Sequence, residues 1–469
     1  MLFSSSVFLF VFLPAVIFGY YVLMRNRTMK NIFLLLASLL FYSYGEPKFV
    51  LIMVCSIVVN YIIGLLINKS NEKNRKKFSA FFLFLAIAYN LLILFYYKYL
   101  IFTIENINNL FGLNIHIQKI LLPIGISFFT FQILSYVIDV YRKKVQVQKN
   151  IFYLGLYIAL FPQLIAGPIV RYETIQDQIL NRKENVSKFS SGIRRFIIGL
   201  GKKVLIANTM AVIADYVFAQ PINVESISMM LVWLGAISYT FQIYFDFSGY
   251  SDMAIGLGEM FGFEFEENFN YPYISKSLSE FWRRWHISLG TWFRDYLYIP
   301  LGGSRCSKKR LIFNLAIVWL CTGIWHGANW TFIVWGIMYF IILTIEKITG
   351  FEKIEKKYNV LKMIYSMFFV IIGWVIFRSD SIQYAVKYLW RMFNVHNIVD
   401  LKSVELFMEN VVMFVVAIFA STPIVKIVKN KTKVLNNNII NDIFLAMIML
   451  LSVSYIIKGV YNPFIYFNF

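Results

Sequence analysis

Charge is what this 469-residue sequence has least of: Asp, Glu, Lys and Arg make up only 15% of it, against roughly 25% in an ordinary soluble domain. Cysteine is nearly absent too. Cys55, Cys306 and Cys321 show no metal-ligand spacing and lie in or beside apolar runs, which excludes a disulfide framework and a zinc site and leaves them as expected packing residues. No polar stretch is long enough to hold a core of its own, so no soluble domain is expected. Familiar catalytic signatures are missing as well: no Gly-x-Ser-x-Gly elbow, no Walker-type phosphate loop, no His-Glu-x-x-His and no Gly-x-Gly-x-x-Gly. Only four histidines occur.

What is present is apolar: hydrophobic residues make up 59% of the chain and aromatics 19%. Stretches long enough for a ~30 Å hydrocarbon core recur at about 7–24, 49–67, 78–102, 120–141, 192–219, 227–250, 363–378, 406–428 and 438–460. Shorter runs at about 31–44, 151–167, 311–325 and 327–346 read as half-spans, re-entrant pieces or tilted helices. The composition is that of an all-α polytopic membrane protein, with one membrane-embedded domain expected over residues 1–469. Val7–Leu23 lacks a basic leader and a small-residue cleavage site, so it reads as a retained first helix.

The formal charge of +20 does not indicate a nucleic-acid partner, because no binding motif accompanies it. Lys and Arg cluster at 25–30, 69–77, 142–149, 182–203, 276–310, 347–362 and 426–433, between the apolar runs, as cytoplasmic loops do. These clusters predict a multi-pass protein of the cytoplasmic membrane with both termini outside. The tail, residues 462–469, is then extracytoplasmic.

Two regions interrupt the simple helical pattern. Phe161-Pro162-Gln163 and Ala166-Gly167-Pro168 fall inside an apolar run, which reads either as a re-entrant loop lining a cavity or as a proline-kinked helix. From Tyr244 to Gly303 the density of Trp, Tyr and Arg predicts amphipathic interfacial helices. Within that region carboxylates need partners. The expected arrangement is a structural network in which Asp246 or Asp252 pairs with Arg283, Arg284 or Arg294, near Asp295.

Two of the histidines are the candidates for chemistry. His326 stands in Trp325-His326-Gly327-Ala328-Asn329-Trp330, about 15 residues, or roughly 22 Å of helix, beyond the basic Lys308-Lys309-Arg310. An ionisable side chain at such depth is costly and points to function, the alternative being a histidine hydrogen-bonded between helices. An imidazole with a reference pKa of ~6.5 can take a proton from a hydroxyl near neutral pH, which suits acyl transfer. His286, in Trp285-His286-Ile287, is expected nearer the cytoplasmic interface. His116 and His396 lie in loop-like contexts and receive no role.

The ordered motifs Pro123-Ile124-Gly125-Ile126-Ser127-Phe128, Phe245-Asp246-Phe247-Ser248-Gly249-Tyr250-Ser251-Asp252, Asn268-Phe269-Asn270-Tyr271-Pro272-Tyr273, Phe281-Trp282-Arg283-Arg284-Trp285-His286, Phe293-Arg294-Asp295-Tyr296 and Trp325-His326-Gly327 resemble the membrane-bound O-acyltransferase (MBOAT) family over nearly the whole chain. They are most similar to its bacterial branch that acetylates alginate. The resemblance implies a ring of about 11 transmembrane helices around a central tunnel, with His326 catalytic and His286 supporting activity in the same tunnel. It implies no bound cofactor, an acyl thioester such as acetyl-CoA as donor, and O-acetylation of a cell-surface or exported polysaccharide. Expected partners are an extracytoplasmic acetyltransferase or esterase-like protein, polysaccharide synthesis or export machinery, and membrane lipids.

In that reading His326 is the general base, and Asn329 or nearby N–H groups could stabilise the oxyanion. The tail Asn462-Pro463-Phe464-Ile465-Tyr466-Phe467-Asn468-Phe469 reads either as an aromatic interfacial anchor or as a relay in which Tyr466 receives the acyl group as a reactive phenol ester. Three alternatives remain at this stage: D-alanyl transfer to teichoic acid, a transporter or flippase using His326, Asp246 and Arg294, and a scaffold for a partner acyltransferase.

Overall fold

A computed structural model describes residues 1–222, 227–353, 355–431, 438–459, 461–463 and 465. The described residues are helical or irregular, without strands. Seven of their helices are long and apolar enough to cross a membrane: Val50–Glu72, Lys76–Phe111, Val186–Phe218, Trp330–Thr349, Lys356–Arg378, Leu401–Ala420 and Ile439–Ile457. Phe8–Leu23 and Ile126–Tyr141 are shorter apolar helices. Only 17% of the apolar window of Leu401–Ala420 and 11% of that of Ile439–Ile457 is buried within the protein. Exposed apolar faces of that extent need a lipid solvent, because their hydration would be unfavourable. Cys55 is exposed on Val50–Glu72 rather than packed inside, which corrects the packing role expected for it.

The chain divides into two compact units. The first comprises Met1–Phe196 and Met253–Glu266. Its core is built from phenylalanines: Phe8 and Phe12 pack against Phe41 and Phe161 at ring separations of 5.4 to 6.3 Å. The Pro/Gly-rich stretch breaks as anticipated. Helix Ile151–Ala159 ends where Leu160 turns extended, one turn resumes at Phe161–Leu164, and irregular buried backbone follows to Val170. Gly125 makes this possible: its φ is +75°, and a Cβ there would lie 2.7 Å from the Leu164 carbonyl oxygen. A polar lock closes the unit at Glu184, whose carboxylate pairs with Arg27 at 2.5 Å and accepts from Tyr20 at 2.5 Å. Burial alone would raise the Glu184 pKa, but the hydrogen bonds from Arg27 and Tyr20 outweigh it and hold it at about 2.

The second unit comprises Ile197–Asp252 and Glu267–Phe469. Here two expectations change. The apolar run at 227–250 continues as the 32-residue helix Met229–Met260, which takes in Tyr244–Tyr250, where separate interfacial helices were expected to begin. Lys202 and Lys203, grouped by sequence with a cytoplasmic loop, lie within the apolar Val186–Phe218 helix, where Lys203 is 3% exposed.

The unit's most closely packed hairpin joins Lys308–His326 to Trp330–Thr349. Ser307 caps the first helix and Asn329 the second, each side chain accepting from a backbone N–H. The helices touch through Gly323 and Gly336: a Cβ at Gly323 would sit 2.5 Å from the Phe332 carbonyl oxygen, and one at Gly336 2.5 Å from that of Trp319. This approach fixes the turn that carries His326.

Candidate active site

His326 is the last residue of its helix, 8% exposed, and rings enclose it on several sides. Trp325, Trp335 and Phe377 each place a ring centroid 5.1 Å from the imidazole. The Trp335 ring lies 5.4 Å from Trp282, and Trp282 lies 5.0 Å from Trp319 and 4.9 Å from Tyr339. Apolar walls of this kind exclude water and strengthen any hydrogen bond made inside them.

His286 reaches the same enclosure from a different element. It joins two short helices, Leu278–Arg284 and Ile287–Phe293, and adopts a left-handed conformation with φ +45°, unusual for a residue with a side chain. Backbone bonds from Asn270 N–H to the Arg284 carbonyl (2.9 Å) and from Ile287 N–H to the Asn268 carbonyl (3.0 Å) bracket it. Its ring lies 6.1 Å from Trp325 and 4.6 Å from Phe247. Trp325 therefore neighbours both imidazoles. Burial pushes the His286 pKa well below the ordinary histidine value, and the proximity of His326 adds to the effect.

The short helix that leads into His286 is held by Glu346, a buried carboxylate that sequence reasoning passed over. Its oxygens accept from the backbone N–H groups of Leu278 (2.7 Å) and Ser279 (2.9 Å) and from the Ser279 hydroxyl (2.8 Å). A carboxylate at a helix N-terminus satisfies donors that the helix itself leaves unpaired. The sequence signal was there, an acidic residue within an apolar helix, but its partners lie about 67 positions away.

The expected pairing of aspartates with arginines is not what forms. Asp246 pairs with Lys203 at 2.7 Å, both side chains 3% exposed, and Asp252 with Lys202 at 2.7 Å. Arg283 instead meets Glu352, Arg284 meets Glu280 one turn away, and Arg294 meets its neighbour Asp295. The physical reason is placement: the two lysines and two aspartates lie on two long helices that approach at Gly249, where a Cβ would sit 2.7 Å from the Gly199 carbonyl oxygen, whereas the arginines lie on short helices beside other acids. Asn329 has both ends of its amide engaged, its Oδ1 by Thr331 N–H and its Nδ2 by the Asp380 carbonyl, so it caps and ties the hairpin.

The described part of the tail is docked in this unit. The Asp246 carboxylate accepts the Ile465 N–H at 2.9 Å, while Lys203 donates to the Pro463 carbonyl. Asn208 donates to Asn462 at 3.2 Å, and the Tyr461 hydroxyl donates to Asp215, itself paired with Arg378 at 2.8 Å. Ile465 is buried in the apolar cluster that contains Trp335 and Phe377. Tyr466 lies outside the described residues.

The sequence of this many-spanned helical protein matches a known class. Residues 39–384 match the family described as MBOAT, membrane-bound O-acyltransferase. The chain is 46% identical over 397 residues to the protein named "Probable alginate O-acetylase AlgI" of Pseudomonas aeruginosa, covering 84% of this chain and 74% of that one. It is 34% identical over 433 residues to the peptidoglycan O-acetyltransferase of Helicobacter pylori, covering 85% and 81%. A more distant likeness, 28% over 281 residues, is to the teichoic acid D-alanyltransferase of Bacillus subtilis, covering 56% and 70%. The chain belongs to the membrane-bound O-acyltransferase family. It is a membrane-embedded acyltransferase.

Proposed function

We propose that this acyltransferase takes an acetyl group from a cytoplasmic thioester such as acetyl-CoA and delivers it across the cytoplasmic membrane for O-acetylation of a cell-surface or exported polysaccharide. The observation that carries the reading is the placement of His326 and His286 beside one tryptophan within a water-poor aromatic enclosure. His326 removes the proton of the accepting hydroxyl as its oxygen attacks the thioester carbonyl carbon. The tetrahedral intermediate then expels the thiolate, which takes the proton back from the imidazolium, leaving an ester and a free thiol.

In this reading the first hydroxyl is that of Tyr466. Support comes from the residues before it: Tyr461, Asn462, Pro463 and Ile465 are each anchored in the unit that holds His326. An extracytoplasmic esterase-like partner then moves the acetyl group from the phenol ester to the polymer. Both chain termini face outward. The acetyl and polysaccharide assignment follows the alginate and peptidoglycan relatives, which match over most of the chain, rather than the D-alanyl relatives, which match over about half.

The test is transfer of labelled acetyl from a thioester to the protein in proteoliposomes. His326→Ala should lower it by at least about 100-fold, the lower end of general-base contributions. Tyr466→Phe should abolish the acetylated C-terminal peptide while thioester hydrolysis persists. Full transfer by the His326 variant would refute the base; an acetylated terminal peptide in the Phe variant would refute the relay. Labelling by D-alanyl but not acetyl donors would reassign the substrate.

A further inference from the structure

Asn268 is fully buried beside His286, and its side-chain Oδ1 faces three groups: the Ser288 hydroxyl at 2.9 Å, the Ser288 backbone N–H at 3.1 Å and His286 Nδ1 at 3.2 Å. The orientation of an amide and the tautomer of a histidine follow from their hydrogen-bond partners. A backbone N–H can only donate, so the Asn268 atom opposite Ser288 N must be the carbonyl oxygen and not the amide nitrogen. An oxygen held there only accepts, and a bare ring nitrogen facing it at 3.2 Å would be repelled, so the nitrogen beside it is the one that carries the proton. Ser288 Oγ lies 2.9 Å from that oxygen and 3.5 Å from Nδ1, so the oxygen is the nearer acceptor for its hydrogen. A neutral imidazole protonated at Nδ1 is an acceptor at Nε2.

We propose that Asn268 is a positioning residue that holds His286 as the Nδ1–H tautomer, so that His286 presents Nε2 to the substrate as a proton acceptor and not as a donor. This inference rests on the acyl-transfer reading of the site. It sharpens that reading, because a neutral histidine of this tautomer cannot donate to the thioester carbonyl oxygen. Oxyanion stabilisation must then come from other groups, and His286 instead takes a hydrogen bond from a substrate hydroxyl or N–H. The left-handed backbone at His286 and the bond from Ile287 N–H to the Asn268 carbonyl keep the two side chains in register.

Nitrogen-15 NMR of histidine-labelled protein in detergent or nanodiscs reads the tautomer directly. Four histidines are present, and His116 and His396 are exposed, so replacing both with Gln leaves His286 and His326 to assign. The expected result for the protein with Asn268 intact is a His286 signal pair with Nδ1 protonated and Nε2 bare. Asn268→Ala should shift His286 toward the other tautomer or a mixture. Asn268→Asp keeps an acceptor oxygen and adds a negative charge, so protonation of His286, read from its nitrogen-15 signals, should move up by about one pH unit or more.

A His286 protonated at Nε2 in the protein with Asn268 intact would overturn the inference without requiring any Asn268 variant to fold. An unchanged tautomer in a folded Asn268→Ala protein would do the same. Failure of the acyl-transfer reading looks different: the unaltered protein would then transfer no acetyl, or transfer would survive both His326→Ala and His286→Ala, whichever tautomer is seen.

Discussion

His286 and His326 differ in how their surroundings treat a proton. His286 has an amide oxygen on Nδ1 and burial that favours the neutral ring, while His326 ends a helix among three aromatic faces. Because the His286 pKa is lowered, the ring stays neutral as pH falls through the ordinary histidine value of ~6.5. His286 should therefore stay neutral across that value and take up a proton only at lower pH. Its nitrogen-15 signals followed between about pH 5 and 8 check this, and a protonation midpoint at or above ~6.5 would contradict it. The motif around His326 was legible in the sequence as an ionisable residue in apolar surroundings. His286 was legible as a second histidine, but its hydrogen-bond partners were not, because Asn268 and Ser288 meet it only when the loop folds back on it.

Helices set these residues by contacts at their ends. Glu346 holds the first turn of Leu278–Arg284, and the chain then passes directly into His286. Glu346→Ala would leave two backbone N–H groups of that turn without their acceptor, at a cost of roughly 1–3 kcal/mol for each group left buried and unsatisfied. We expect a lowered unfolding temperature in detergent together with reduced transfer, and unchanged values of both would refute the capping role. Long apolar runs were readable as helices. Tyr244–Tyr250, which fits both the apolar run 227–250 and the start of an interfacial stretch, belongs to the 32-residue helix: aromatic and acidic residues suited to an interface also suit a buried helix when lysines from a neighbouring helix meet the acids.

Ion pairs organise each unit of the molecule. In the first, Glu184 has a folded pKa of about 2 against ~4.3 for a free glutamate, so its contribution is present above ~4.3 and is lost as pH falls toward 2. Glu184→Gln should flatten stability against pH over that interval, as measured by thermal unfolding in detergent. In the second unit Asp246 serves both Lys203 and the tail. Asp246→Asn leaves a buried ammonium without its counter-charge, a change on the order of 3–5 kcal/mol, and weakens the seat of Ile465. The thiol introduced by Ile465→Cys, in a protein freed of Cys55, Cys306 and Cys321, should be shielded from maleimide with Asp246 intact and label faster in the Asn variant. Equal labelling rates would show that this carboxylate does not hold the tail.

By itself the sequence determined the solvent, the secondary structure and the class: sparse charge and recurrent apolar runs require a helical membrane protein, and short ordered motifs carry the acyltransferase family and His326. These are properties of composition and local order, so no folding is needed to read them. Only the tertiary structure decided which charges meet, which oxygen faces His286 and where the tail lies. Lys203 with Asp246, Glu346 with Leu278 and Asp246 with Ile465 are pairings across 43, 68 and 219 positions. Local sequence could not choose among the many lysines and acids available. Burial makes that choice, because a charge removed from water must meet whichever partner the packing brings within reach.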